Sequence, residues 1–190
     1  MNGNKSLNVE EKILASNAAN KAESFMGLYD LYFNRVYNYI RYRCYDPQVT
    51  DDLTAQSFLK ALSRISTYNP EKAPFGAWLF AIVRNLVSDY YRHEKKYNLV
   101  DIDDVEYIVQ PYESRGLEES AEKREEKMKM LQALDKLPTR QRDLIALKFG
   151  SEMTNRDIAR LTGLTEQNVG VLVHRGIKTL RKHLQEGEIV

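Results

Sequence analysis

Residues 154–183, TNRDIARLTGLTEQNVGVLVHRGIKTLRKH, decide the fold. They read as a short helix, a tight glycine turn and a longer basic helix. Thr154 followed three residues later by Asp157 resembles a capping box with aspartate in the glutamate position. Ile158, Ala159 and Leu161 form the apolar side of the first helix. Gly163 fits the position just past its end, where positive φ costs glycine little. Thr165 is expected to cap the second helix, with Val169, Val173, Ile177, Leu180 and Leu184 facing inward. The first helix must cross the second closely, so Ala159 is small. This is the helix-turn-helix pattern, whose second helix enters the major groove of DNA. Helix hairpins in general share the pattern, so on this motif alone a structural hairpin stays open beside DNA binding.

Upstream of that unit, Leu131, Leu134 and Leu137 form one helical stripe that stops at Pro138. Thr139 is expected to cap a helix carrying Leu144, Ile145 and Leu147 and ending at Gly150. Residues 97–122 hold no sustained period and scatter eight acidic residues around Pro111 and Gly116, which predicts an extended acidic linker. Before it, Phe25, Leu28, Tyr29, Tyr32, Phe33, Val36 and Ile40 recur at three- and four-residue steps, one apolar helix face. Asp46-Pro47 ends that helix. Thr50 is expected to cap the next, with Asp51 and Asp52 in its first turn and Ala55, Phe58, Leu59, Leu62 and Ile65 inside. The segment Thr67–Pro74 contains two prolines and no apolar period, so it is a loop. A third helix runs from about Phe75 to Lys96, with Phe75, Trp78, Leu79, Ile82, Leu86 and Tyr90 on one side. These three helices suffice to close one core. Residues 1–24 are polar and weakly helical, with no clear partner face. The fold class is therefore all-α: two small helical domains, 25–96 and 123–190, behind an N-terminal extension 1–24 and around the linker 97–122.

The charge supports this division. The chain of 190 residues is nearly neutral at +1, yet residues 25–96 carry ten basic and seven acidic residues. Residues 97–122 carry one basic and eight acidic, and 123–190 carry fourteen basic and nine acidic. Two basic blocks around an acidic tether suit modules that touch a polyanion; plain solvated surface charge is the alternative. No apolar run is long enough to span a membrane, and no secretory signal is evident, so a cytoplasmic location is expected. The third helix places Arg84, Asn85, Ser88, Arg92, Lys95 and Lys96 away from its apolar side. Arginine and lysine there suit phosphate, and asparagine suits a base edge. Tyr68 and Asn69 lie in the neighbouring loop, and aromatics interleaved with cations suit single-stranded nucleic acid. Trp78 and Phe75 are read as core. The three histidines sit in no metal-binding spacing, and no phosphate-binding glycine loop is present. Cys44 lacks an activating base nearby in sequence and reads as a half-buried structural thiol. No cofactor, metal or catalytic residue is expected, and the chain is not read as an enzyme.

The residues Leu28–Phe33, Asp51-Asp52-Leu53 with Phe58–Ala61, and Phe75–Ile82 resemble region two of a bacterial RNA polymerase sigma factor of the sigma-70 family, extracytoplasmic-function (ECF) group. Leu137-Pro138 through Gln141-Arg142, and the helix-turn-helix ending His174-Arg175-Gly176, resemble region four. The resemblance implies a transcription initiation factor whose partners are core RNA polymerase (clamp and flap) and promoter DNA, double- and single-stranded. It implies that Asp51, Asp52, Gln56 and Phe58 bind the clamp. The −10 element would be read and melted by Tyr68, Asn69, Arg84, Asn85, Ser88, Arg92, Lys95 and Lys96. The −35 element would meet Thr165, Gln167, Asn168, Val171, Arg175, Lys178 and Lys182. It implies that the acidic linker threads the polymerase toward the RNA exit path, and it admits an anti-sigma factor as a partner.

One departure from the family bears on specificity. Gly170 and Leu172 occupy positions that are usually basic, so weak −35 reading is expected, with an exposed Val171-Leu172 pair able to dock a DNA-bound recruiting protein. The alternative reading is a stand-alone helix-turn-helix regulator whose N-terminal half senses a signal. A nucleic-acid-modifying enzyme is disfavoured by the missing metal and nucleophile patterns.

Overall fold

The computed structural model describes residues 11–18, 22–97 and 121–186, and every element among them is helical. We number the helices α1 (Ala22–Arg43), α2 (Pro47–Arg64), α3 (Phe75–Tyr97), α4 (Ala121–Asp135), α5 (Thr139–Ile145), α6 (Asn155–Thr162) and α7 (Glu166–Glu186). A 3₁₀ turn, Ile65–Thr67, closes α2, and a π turn, Ala146–Gly150, closes α5. The rest of the acidic segment, between α3 and α4, lies outside the described residues.

Local chemistry sets the helix ends, and two differ from expectation. Asp46, rather than Thr50, caps α2: its Oδ1 accepts from the Gln48 and Val49 amides at 2.7 and 3.1 Å. Pro47 fills the first helical position, where a missing N–H costs nothing, and so moves the cap upstream. Thr50 is thereby inside the helix, fully buried, its hydroxyl donating to the Asp46 carbonyl. Asp51 and Asp52 lie beyond the first turn. Thr139 likewise does not cap α5. Pro138 holds that place, and its carbonyl accepts from the Gln141 and Arg142 amides.

The buried face of α2 also departs from the leucine pattern. Leu53, Thr54, Ser57, Phe58, Ala61 and Ile65 face inward, whereas Leu59 and Leu62, expected inside, are 66% and 46% exposed; Ala55 is exposed too. The hydroxyls of Thr54 and Ser57 can be buried because each donates to a carbonyl one turn back, at 2.7 and 2.6 Å. In α3 the inward set is wider than expected and includes Phe80, Val83 and Val87.

The main core is continuous through the molecule. Val36 and Tyr39 of α1 and Phe80 and Val83 of α3 share it with Leu144, Leu147, Ile158, Val169 and Val173. Each such side chain, fully buried, stabilises the fold by about 1.5–3 kcal/mol. A second, smaller cluster joins Leu131, Leu134 and Leu137 of the α4 stripe to Ile145. The N-terminal extension has a partner after all. Its helical segment 11–17 packs on α1 and α3, with Ala15 and Ala18 buried and Leu14 against Gly27.

Candidate nucleic-acid interface

The loop between α2 and α3 is tied down from within. Tyr68 packs edge-on against Phe75 at 5.4 Å and beside Trp78 at 5.5 Å, while its hydroxyl donates to the Ala73 carbonyl. The Asn69 side chain accepts from the Glu71 amide at 2.8 Å, leaving the residue itself exposed. Phe75 is buried and Trp78 half-buried, so the loop hangs from an aromatic anchor. Glu11 of the N-terminal segment reaches the same corner, accepting from the Gly76 amide at 3.4 Å. Its only signal in sequence was the short spacing of Leu14, Ala15 and Ala18.

On the outer face of α3, Asn85, Ser88 and Arg92 are exposed. Arg92 pairs with Asp89 one turn back, an exposed contact that competes weakly with any other anion. The side chains of Lys95 and Lys96 lie outside the described residues. Arg84 differs from its expected place, because its guanidinium is spent inside the molecule. Nη2 and Nε donate to Asp143 Oδ2 at 2.9 and 3.3 Å, and Nη1 to the Leu161 carbonyl at 3.2 Å. Burial alone would lower its pKa, but the Asp143 charge and hydrogen bonds outweigh this and hold it above the usual range. Asp143 also accepts from the fully buried Tyr39 hydroxyl at 2.7 Å. Burial, then that carboxylate, keep the Tyr39 phenol well above its ordinary pKa.

A second surface lies across α1 and α2. Tyr29, Phe33, Tyr37, Asp51, Thr54, Ala55 and Phe58 line a cleft of about 210 Å³. Phe58 is buried, as its place on the apolar side of α2 predicts, and packs on Tyr29 at 4.6 Å against the cleft. Asp52 and Gln56 are exposed, Asp51 half so, and the protruding Leu59 and Leu62 stand on the same helix.

The helix-turn-helix forms as its punctuation predicts. The Thr154 hydroxyl accepts from the Asp157 amide at 3.2 Å and donates to the Asp157 carboxylate at 2.5 Å. Gly163 adopts φ of 72°, the left-handed region, and its amide donates to the Ala159 carbonyl. Thr165 caps α7 through the Asn168 amide. Thr165, Gln167, Asn168, Val171, Arg175, Lys178 and Lys182 are all exposed, the α7 residues recurring at three- and four-residue steps along one side. Leu172 is not with them: it is half-buried and packed against the core. The exposed Val171-Leu172 pair is therefore reduced to Val171, too little for an apolar docking patch.

This geometry has counterparts in known proteins. Sigma-70 region 2 matches residues 28–97, and Sigma-70, region 4 matches residues 127–180. The chain belongs to the sigma-70 family, ECF group. It is 32% identical over 174 residues to the ECF RNA polymerase sigma factor BldN of Streptomyces coelicolor, covering 88% of this chain and 63% of that protein. It is 27% identical to the ECF RNA polymerase sigma factor SigX of Bacillus subtilis, covering 86% of this chain and 84% of that protein. In fold it resembles CnrH, solved in complex with the cytosolic domain of CnrY: TM-score 0.69, 22% identity, 93% of this chain and 98% of that one. Both matched regions stand in one chain, region 2 ahead of region 4, which sets aside the stand-alone regulator. Segment 11–18 lies ahead of the first matched region of this sigma factor, and Lys182 lies just past the second.

Proposed function

We propose that this sigma factor docks on core RNA polymerase through the outer face of α2 and opens promoters with the loop 67–74 and the exposed face of α3. The observation that carries the reading is the inversion on α2. Two leucines stand in solvent beside Asp51, Asp52 and Gln56, while two hydroxyls are inside. Leucines kept outside gain stability only by being covered, and a partner that covers them removes their apolar area from water. Phe58 supports this face from beneath, against the aromatic cleft. An anti-sigma factor would compete for the same face.

In the −10 element, Tyr68 and Asn69 would hold an extruded base. Asn85 would read a base edge, while Ser88 and Arg92, continued by Lys95 and Lys96, would hold phosphates. Gln167, Asn168, Arg175, Lys178 and Lys182, with Thr165 at the cap, would meet the −35 element. The cation missing at Gly170 makes that reading weak, and promoter choice then rests on the −10 element or on a recruiting protein bound nearby. RNA synthesis belongs to the polymerase, and the chain acts where the polymerase is, in the cytoplasm.

The test is transcription with the full chain, core enzyme and templates carrying intact or scrambled −35 regions. Co-elution with core on a sizing column and nearly equal, weak transcription from both templates are expected. Failure to associate with core refutes the function. A hundredfold or greater loss on scrambling refutes weak −35 reading.

A further inference from the structure

Helix α3 begins without a side-chain cap of its own. Pro74 holds the capping place: its carbonyl accepts from the Ala77 and Trp78 amides at 3.1 and 3.3 Å, and its ring offers no further acceptor. The amide of Gly76, in the first turn, is met from 65 positions away, by Glu11 Oε1 at 3.4 Å. Glu11 thus does for α3 what a capping side chain does locally in other helices. The same carboxylate meets the buried Tyr32 hydroxyl. Burial first, then the Glu11 charge and hydrogen bond, hold that phenol above its ordinary pKa against the opposing pull of Arg35. Gly76 lets the three groups converge, since a Cβ there would lie 2.7 Å from the Tyr32 hydroxyl oxygen.

A packed helical segment brings Glu11 to this corner. Ala15 and Ala18 are buried, and Leu14 fills the space a side chain on Gly27 would take, its two Cδ atoms 3.0 Å from that Cβ position. From the carboxylate, contacts lead straight to the loop 67–74. Tyr32 packs against Phe75 at 5.4 Å, and Phe75 against Tyr68 at 5.4 Å. The Tyr68 hydroxyl bonds the Ala73 carbonyl, one residue before Pro74. Burial, then the Glu11 charge, raise the Tyr68 phenol as well, so the carboxylate is felt inside the loop. The segment precedes residues 28–97, so this support comes from outside the matched region 2.

We propose that Glu11 is a positioning residue for promoter opening: by capping α3 at Gly76 and holding Tyr32, it keeps the loop 67–74 in the shape that receives the extruded −10 base. The proposal rests on the sigma reading above and adds to it a specificity determinant in the N-terminal extension. A loop that visits several shapes binds in proportion to its competent fraction, and a support that fixes one shape removes that loss. The effect of Glu11 therefore falls on the base the loop receives. Asn85 lies nine residues beyond Gly76, about 14 Å along the helix, so the base it reads is outside this effect.

The experiment uses the full chain with Glu11→Ala, Glu11→Gln, which keeps an accepting oxygen, and Leu14→Ser, which undocks the segment with Glu11 intact. Trp78 is the single tryptophan and lies 5.5 Å from Tyr68 and 5.4 Å from Phe75, so its quenching by acrylamide reports the loop without polymerase. Quenching should rise in Glu11→Ala and Leu14→Ser and stay at the wild-type level in Glu11→Gln. Each protein is then combined with core enzyme and a template pool randomised in the −10 element, and the transcripts are sequenced. Asn69→Ala and Asn85→Ala mark the positions that the loop and the helix read. Glu11→Ala should lower base enrichment at the loop position about fivefold, the population shift that losing one cap allows, and leave the Asn85 position unchanged. Glu11→Gln should restore it. A merely structural role would lower total transcript and leave both enrichments as they were. Unchanged Trp78 quenching in Glu11→Ala overturns the support of the loop. Altered quenching with enrichment unchanged, or lowered equally at both positions, overturns the positioning role. If neither wild type nor variants bind core although Trp78 responds, the capping contact stands and the sigma reading fails.

Discussion

Asp52→Arg separates a partner-facing acid from a helix-capping one. In α2 the capping bonds belong to Asp46, which accepts from two amides, whereas Asp52 is exposed and lies past the first turn. Removing an N-cap side chain costs about 1 kcal/mol, and for a chain of this size that lowers Tm by about 2–4 °C. Asp46→Ala should show this fall while core binding stays within about twofold, less than 0.5 kcal/mol. Asp52→Arg should stay within about 0.5 kcal/mol of wild type, as substitutions on an open surface do. Its effect should appear in association instead. Loss of a central interface contact costs about 2 kcal/mol or more, a thirtyfold weakening. Thermal melts, fluorescence anisotropy with labelled core enzyme and run-off transcription together read out both variants. If Asp52→Arg melts as low as Asp46→Ala and still binds core with wild-type affinity, the acid is structural and the assignment of α2 is wrong.

Gly163→Ala should cost about 1–2 kcal/mol, since an alanine there must hold left-handed geometry. Beyond the residue and its chain neighbours nothing crowds the added Cβ within 4 Å, so Gly163→Asn should recover most of the loss in the same melt. Val171→Arg adds a cation to the exposed side of α7. It should strengthen −35 binding and steepen the dependence of log K on log salt by about one unit, and an unchanged slope would take Val171 out of the interface. Cys44 is buried, and burial pushes its thiol from an ordinary value of 9.0 up to about 11. A folded pKa raised above the unfolded one gives stability that is whole below pH 9 and is lost as pH rises through 11. Alkaline melts should therefore fall more steeply for wild type than for Cys44→Ala, and the native thiol should react with disulfide reagents at pH 8 only on unfolding.

What the sequence determined by itself was local. Thr154, Gly163 and Thr165 mark the helix-turn-helix because a cap or a left-handed turn is a property of a few adjacent residues. The exposed stripe from Gln167 to Lys182 follows from helical period alone. The same period could not say which side of a stripe a neighbour covers. Leucine spacing put Leu59 and Leu62 inside α2, whereas tertiary packing turned Thr54 and Ser57 inward, because their hydroxyls bond their own helix. Likewise Leu172, which helical spacing put on the outward side beside Val171, is drawn inward by the core. The pairing of Arg84 with Asp143 joins residues 59 positions apart, and that of Tyr39 with Asp143 joins residues 104 apart. Nothing within a helical turn of any of these residues specifies its partner. Only the closing of one core over both halves of the chain brings an arginine and a tyrosine to one carboxylate, since a buried charge is tolerated where its hydrogen bonds are met and nowhere else.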